Sequence, residues 1–140
     1  MTFSKLFFSF EGRSGRKAYW AGIIAVEIGI IIAGVICGLI HVPALIAVLV
    51  FAYPRICVIA KRFHDINRTG WWQVLPNIAS NVAAGGGAVL LGQGGTAVGL
   101  LLSLVIEWGF LIWLGSMAGQ PHKNDFGQPE GQKDVAEVFL

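Results

Sequence analysis

Long apolar stretches alternate with short polar ones along this chain. The first runs over Ala18–Ile40, AYWAGIIAVEIGIIIAGVICGLI, and the second over Val42–Ala60. The third extends from Trp71 to about Leu91, and the fourth from about Val98 to Met117. Each is close to the ~20 residues that cross ~30 Å of hydrocarbon as a helix rising ~1.5 Å per residue. The third is the weakest, because Gln73, Asn77, Ser80 and Asn81 interrupt it and Gly85–Gly87 loosen it. His41 and Pro43 leave room only for a tight turn, so the first two helices should form an antiparallel hairpin. Gly92, Gly94 and Gly95 predict a second turn. The pattern predicts an all-α fold: an integral membrane bundle of four transmembrane helices, as a single domain over residues 1–140. Residues 1–17 precede the bundle, residues 18–117 form it, and residues 118–140 are a tail. Before the first span, Phe3, Phe7 and Phe10 recur at helical spacing with Lys5 opposite them, which suits a short interfacial N-terminal helix. A partly ordered tail is the competing reading.

Composition supports the membrane assignment. Of 140 residues, 55% are hydrophobic and only 13% charged, against about a quarter charged in soluble domains. The apolar run after Arg16 and Lys17 exceeds the ~7–15 residues of a signal-peptide core, so the first span is expected to stay in the protein.

The net charge of +2 says little, but the positions of the ten Lys and Arg residues say more. Lys5, Arg13, Arg16 and Lys17 precede the first span. Arg55, Lys61, Arg62 and Arg68 lie late in the second span or just after it, and Lys123 and Lys133 follow the fourth. The connections near residue 41 and over residues 92–97 carry none. The positive-inside rule therefore places both termini in the cytoplasm, which requires an even number of crossings. The alternative makes residues 71–97 re-entrant. Three crossings would then put the tail outside, against its lysines.

Cys37 and Cys57 should lie roughly 15 Å apart in depth at helical rise, while a disulfide needs Cα atoms within ~7 Å, so free thiols are expected. Small residues spaced by four occur at Ala18/Gly22, Gly34/Gly38, Gly95/Gly99 and Gly115/Gly119, a spacing that lets helix backbones approach.

Glu27 and Glu107 each fall near mid-bilayer, where an ionised side chain costs at least ~2.5–3.5 kcal/mol. They should face the bundle interior, with Arg55 paired to one of them. Such groups fit a proton or cation path, or a buried pair that sets helix register.

The densest polar stretch is KRFHDINRTGWW, Lys61–Trp72. With FEGRSGRKAYW (Phe10–Trp20) and GQPHKNDFGQP (Gly119–Pro129), it resembles, in order and separation, three motifs of the bacterial inner-membrane family called domain of unknown function 805. In the third motif His122 stands where glycine is usual, Asp125 replaces arginine, and the final proline is displaced. The resemblance spans nearly the whole chain and implies a small multi-span membrane protein. It brings no reaction, cofactor or catalytic residue.

On the proposed topology all three motifs lie at the inner surface. They offer a cytoplasmic cap of Arg13, Arg16, Arg62, His64, Asp65, Arg68, Trp71, Trp72 and Asn124 as candidate binding residues. Tryptophans at span ends suit the headgroup layer, and cations near the surface attract anionic phospholipid at about 1 kcal/mol each. Asp65 among several arginines suits a guanidinium pair. His64 beside Asp65 also raises a metal site or an acid–base pair. Adjacent helical residues point about 100° apart, however, and metal helices use i, i+3 or i, i+4 spacing. No catalytic set, metal site or cofactor is assigned, and the few cations beside aromatic anchors do not suit nucleic acid. The reading is a non-enzymatic module whose cap binds anionic lipid headgroups or a protein partner, a second copy of the chain included. The alternatives are a transporter or channel component using Glu27 and Glu107, and a membrane enzyme acting on a lipid or phosphate ester around His64 and Asp65.

Overall fold

The computed structural model describes residues 2–131. The fold is all-α: α1 (Phe3–Phe8), α2 (Arg16–Leu39), α3 (Leu45–Asp65), a 3-10 turn over Gly70–Gln73, and α4 (Val74–Ser116). Among the described residues there is no strand, only one isolated bridge between Asn124 and Gly127. The chain divides into two compact units. One joins the residues up to Gly70 with those from Ala118, and the other is Trp71–Met117.

In the first unit α2 and α3 form the expected antiparallel hairpin. The turn closes as a Schellman motif, with His41 left-handed at φ 56°. Val42 N–H donates to Cys37 O at 2.8 Å and His41 N–H to Gly38 O at 3.3 Å, so the last carbonyls of α2 are satisfied. Two glycines set the closeness of the helices. A Cβ at Gly22 would lie 3.0 Å from both Val58 methyls, and one at Gly29 would enter the Phe51 ring, 2.7 Å from Cζ. Gly34 and Gly38, which have the four-residue spacing, face open space. The close approach therefore uses a seven-residue repeat, two helical turns along one face. Cys37 and Cys57 are both free thiols, as expected.

The interfacial segment is helical but shorter than the phenylalanine spacing suggested. α1 ends at Phe8, so Phe10 lies beyond it. Phe7 is buried, while Phe3, Phe8 and Phe10 are exposed. Lys61 of α3 donates its ammonium to the carbonyls of Lys5 and Leu6. These are near the C-terminal end of α1, where a cation satisfies orphan acceptors.

In the second unit Gly92 breaks α4 at φ 66°, ψ −153°. Contacts pair up symmetrically around it. Ser80 Oγ–H donates to Ser103 O at 3.3 Å. A Cβ at Gly99 would lie 2.6 Å from Ala83 O, and one at Gly87 would overlap the Gly95 carbonyl and lie 2.7 Å from Gly99 Cα. Residues 74–91 and 93–116 are thus two arms of an antiparallel helical hairpin. The expected loop over 92–97 shrinks to one glycine, because that conformation suits a residue without Cβ. The Gly95/Gly99 pair does bring backbones together, as its spacing predicts. Of the polar residues that weakened the third stretch, Asn77 and Asn81 each donate to the carbonyl four residues back at 2.7 Å, whereas Gln73 Oε1 is buried without a hydrogen-bond partner among the described residues.

Two helical segments, Arg16–Leu39 and Gly94–Ser116, are long and apolar enough to cross a membrane. Most of their surface is uncovered, with Ile31 65% and Val105 70% exposed. Water-exposed apolar surface on this scale is rare in soluble monomers. Together these features point to a membrane protein.

Candidate functional site

The C-terminus of α3 organises the cap. The last carbonyls of a helix lack intrahelical partners, and here several are taken by the turn that follows and by distant parts of the chain. Phe63 O accepts from Arg68 N–H at 2.9 Å and His64 O from Asn67 N–H at 3.1 Å. This is a second Schellman turn, with Asn67 left-handed at φ 57°. His64 O also accepts from Asn124 Nδ2 at 2.8 Å, and Asp65 O accepts from Gln120 N–H at 2.8 Å. Ser14 N–H donates to Lys61 O at 3.2 Å. Residues 12–15 and 118–130 are thereby laced onto one helix end.

Arg13 is the central tie. Its Nε and Nη2 donate to Asp65 Oδ1 at 3.1 and 2.9 Å. Nη2 also reaches Asp65 O at 3.3 Å and the Gln120 carbonyl. Nη1 donates to His122 O at 2.7 Å and Gly127 O at 3.2 Å. The other oxygen of Asp65 accepts from Arg62 Nη1 at 2.6 Å, and the same nitrogen bonds Ser14 O at 3.2 Å. The two arginine side chains are fully buried and that of Asp65 is 8% exposed. Buried charges are tolerated only when paired and hydrogen-bonded on all sides, and Arg13 meets that condition with all three nitrogens. Its position by the negative end of the α3 dipole adds to the attraction.

Gly119 is part of this packing. Asp65 occupies the space that a Cβ there would take, with Cγ 2.6 Å from it. Beyond it, Asn124 and Gly127 exchange backbone bonds of 3.1 and 3.0 Å. Asn124 Oδ1 accepts from Phe126 N–H at 3.0 Å, which lays the Phe126 ring flat on His64, centroids 3.9 Å apart at 4°. Glu130 Oε2 accepts from Gly15 N–H at 2.8 Å at the start of α2, where a helix dipole favours an anion.

His64 and Asp65 therefore do not act on one another. Asp65 serves the two arginines. His64 Nδ1 lies 3.2 Å from Gly12 O, so that nitrogen carries the proton and donates it. Burial pushes the His64 pKa below its ordinary value; the bond to Gly12 partly offsets this, and Lys61 adds to it. A histidine held neutral by the fold takes up its proton at lower pH than the unfolded chain does. Cap stability should then be full above the ordinary histidine range and fall as pH drops through about 6.5. Unfolding midpoints in detergent between pH 7.5 and 5.5 should show that decline, and His64→Gln should remove most of it. Burial likewise lowers the pKa of Lys61, with Cys57 opposing, and that of Arg62, with Asp65 the main offset.

The structure separates the candidate residues into groups. Arg13, Arg62 and Asp65 are interior to the cap, and Lys61, which sequence reasoning left among the surface cations, is interior too. Asn124 and His64 are half-buried ties, whereas Arg16 and Arg68 are exposed. Trp71 and Trp72 open the second unit with exposed rings. Of the polar residues within the apolar stretches, Arg55 Nε meets Glu27 Oε1 at 3.0 Å within the first unit, both half-buried. Glu107 is half-buried on the second arm of α4. Among the described residues no group of three or more His, Cys, Asp or Glu is placed to hold a metal ion. Sequence reasoning missed Ser14, Gly119, Gln120, Phe126, Gly127 and Glu130. Most act through backbone atoms, which carry no side-chain signature. Only Gly119 and Gly127, as motif glycines, offered a signal.

Comparison with known proteins places these segments in context. The family model described as "Protein of unknown function (DUF805)" matches residues 7–128, a range that contains all three cap segments as far as Gln128. The chain is 32% identical over 141 residues to "Uncharacterized protein YiiR" of Escherichia coli strain K12, covering 99% of this chain and 93% of the relative. The protein of the same name in Escherichia coli O157:H7 matches to the same extent. No solved structure matches.

Proposed function

The chain belongs to the DUF805 family of proteins of unknown function, and from that premise we propose that it is a non-enzymatic inner-membrane module whose cytoplasmic cap faces anionic phospholipid. In this reading α2, α3 and the two arms of α4 are four crossings, with both termini in the cytoplasm. Cation-free turns at residues 41 and 92 support it, as does the local satisfaction of Asn77, Ser80 and Asn81.

One observation carries the lipid assignment. Of the cations in residues 1–17 and the last turns of α3, Arg13, Lys61 and Arg62 form an interior set and Lys5, Arg16 and Lys17 an exposed set; Arg68 and Lys123 are exposed elsewhere in the unit. The exposed set accompanies the exposed rings of Phe3, Phe8 and Phe10, and basic residues beside aromatic ones suit the headgroup layer of an acidic leaflet. An acid–base role for His64 and Asp65 gains no support, because both side chains are engaged in holding the cap. The Arg55–Glu27 pair neutralises itself, which suits helix registry better than ion passage.

Native mass spectrometry from mild detergent tests the proposal. At about 1 kcal/mol per surface cation, Arg16→Ala with Lys17→Ala should weaken retention of phosphatidylglycerol roughly thirtyfold. Phosphatidylcholine retention should not change. Equal retention of the acidic lipid by parent and double variant would remove the lipid assignment.

A further inference from the structure

The acceptors that hold Arg13 belong largely to one short segment. The carbonyls of Gln120, His122 and Gly127 converge on its Nη1 and Nη2. Three oxygens gathered on the outer edge of one guanidinium are the arrangement that a phosphate group presents to arginine. The inner edge, Nε and the near side of Nη2, stays with Asp65. Arg62 balances the second oxygen of that carboxylate, so two guanidiniums face one carboxylate and the cluster keeps an excess positive charge.

The segment that supplies these carbonyls is held almost wholly by polar contacts. No residue from Ala118 to Gly131 is fully buried. Its ties are the Arg13 bonds, Gln120 N–H to Asp65 O, Asn124 to His64 O, the Phe126 stack and Glu130 on Gly15 N–H. With little apolar area to hold it, the segment is open to competition by a group that offers Arg13 stronger, ionic acceptors.

We propose that residues 120–127 are a strap occupying an oxyanion site on Arg13, and that a phosphate-bearing anion displaces it there. The strap's own carbonyls are the resting ligand. Release leaves both Nη1 hydrogens and one on Nη2 for the anion, while Asp65 and Arg62 keep the guanidinium in place. This extends the lipid reading above, since a headgroup phosphate is one source of the anion; free phosphate is the other.

Hydrogen exchange of the full chain in nanodiscs reads the strap at Gln120, whose N–H bonds Asp65 O only while it is closed; the Asn124, Phe126 and Gly127 N–H bonds are made within the strap itself. Phosphatidic acid added to phosphatidylcholine discs, or inorganic phosphate added to phosphatidylcholine discs alone, should speed exchange of the Gln120 amide by about fivefold or more. A response to the lipid alone assigns a headgroup, and a response to both assigns any phosphate. Asn124→Ala removes one tie of the closed state, so it should raise the apparent anion affinity several-fold, whereas a merely structural tie would give no anion binding to raise. Unchanged exchange under both anions, in the parent and in Asn124→Ala, overturns the strap. That result leaves the surface-cation reading standing, since the latter is read by lipid retention in the Arg16 and Lys17 variants.

Discussion

Arg13→Ala is expected to destabilise the protein by about 3–5 kcal/mol, the usual cost of breaking a buried charge pair from one side. The loss has several sources. Asp65 keeps only Arg62, and the carbonyls of Gln120 and His122 lose their guanidinium donor. A buried carboxylate left with one of its two guanidiniums, and carbonyls left without their donor, cost more than the bonds gain when made. Arg13→Lys should recover part of the loss, because it restores the charge but not the planar fork that reaches Asp65 and the strap together. Unfolding midpoints in a graded denaturing detergent check both variants. A loss below about 1 kcal/mol for Arg13→Ala, the size of an exposed pair, would mean that the guanidinium is not enclosed as described.

Gly119→Ala should cost about 1–3 kcal/mol, the range for overpacking a filled site. A single methyl does this because of what it meets. A lone aspartate could swing aside, but the Asp65 carboxylate is held on one oxygen by Arg13 and on the other by Arg62. Moving it by the distance a Cβ requires strains both ion pairs. Gly109→Ala is the matching control, since a Cβ there meets nothing within 4 Å. It should be neutral or stabilise by up to about 1 kcal/mol through helix propensity. If the two variants unfold at the same midpoint, Gly119 does not lie against the carboxylate.

The elements were more legible than the site. The apolar stretches end within a few residues of where the helices end, because helix length and apolarity are properties of the chain itself. The exceptions have local causes. α3 runs on to Asp65, past the apolar limit at Ala60, because the tail and the N-terminal loop satisfy its last carbonyls. The second arm of α4 begins right after Gly92, because one left-handed glycine reverses the chain. In the site, the charged residues of the three motifs were legible as a group. Their division into buried and exposed was not: Lys61 and Arg62 sit seven and six residues before Arg68 and carry the same charge, yet both are buried and Arg68 is exposed.

By itself the sequence determined that the chain is helical, where its long apolar helices lie, and that its cations gather at particular ends of them. These follow from composition and order along the chain. Only the tertiary structure decided that Asp65 is shared between Arg13 and Arg62, that His64 turns to a backbone carbonyl, and that the strap closes over Arg13. Burial and hydrogen bonding are relations between segments. Arg13 finds its partners 52 to 114 residues away, and several of them are peptide carbonyls that any residue would supply.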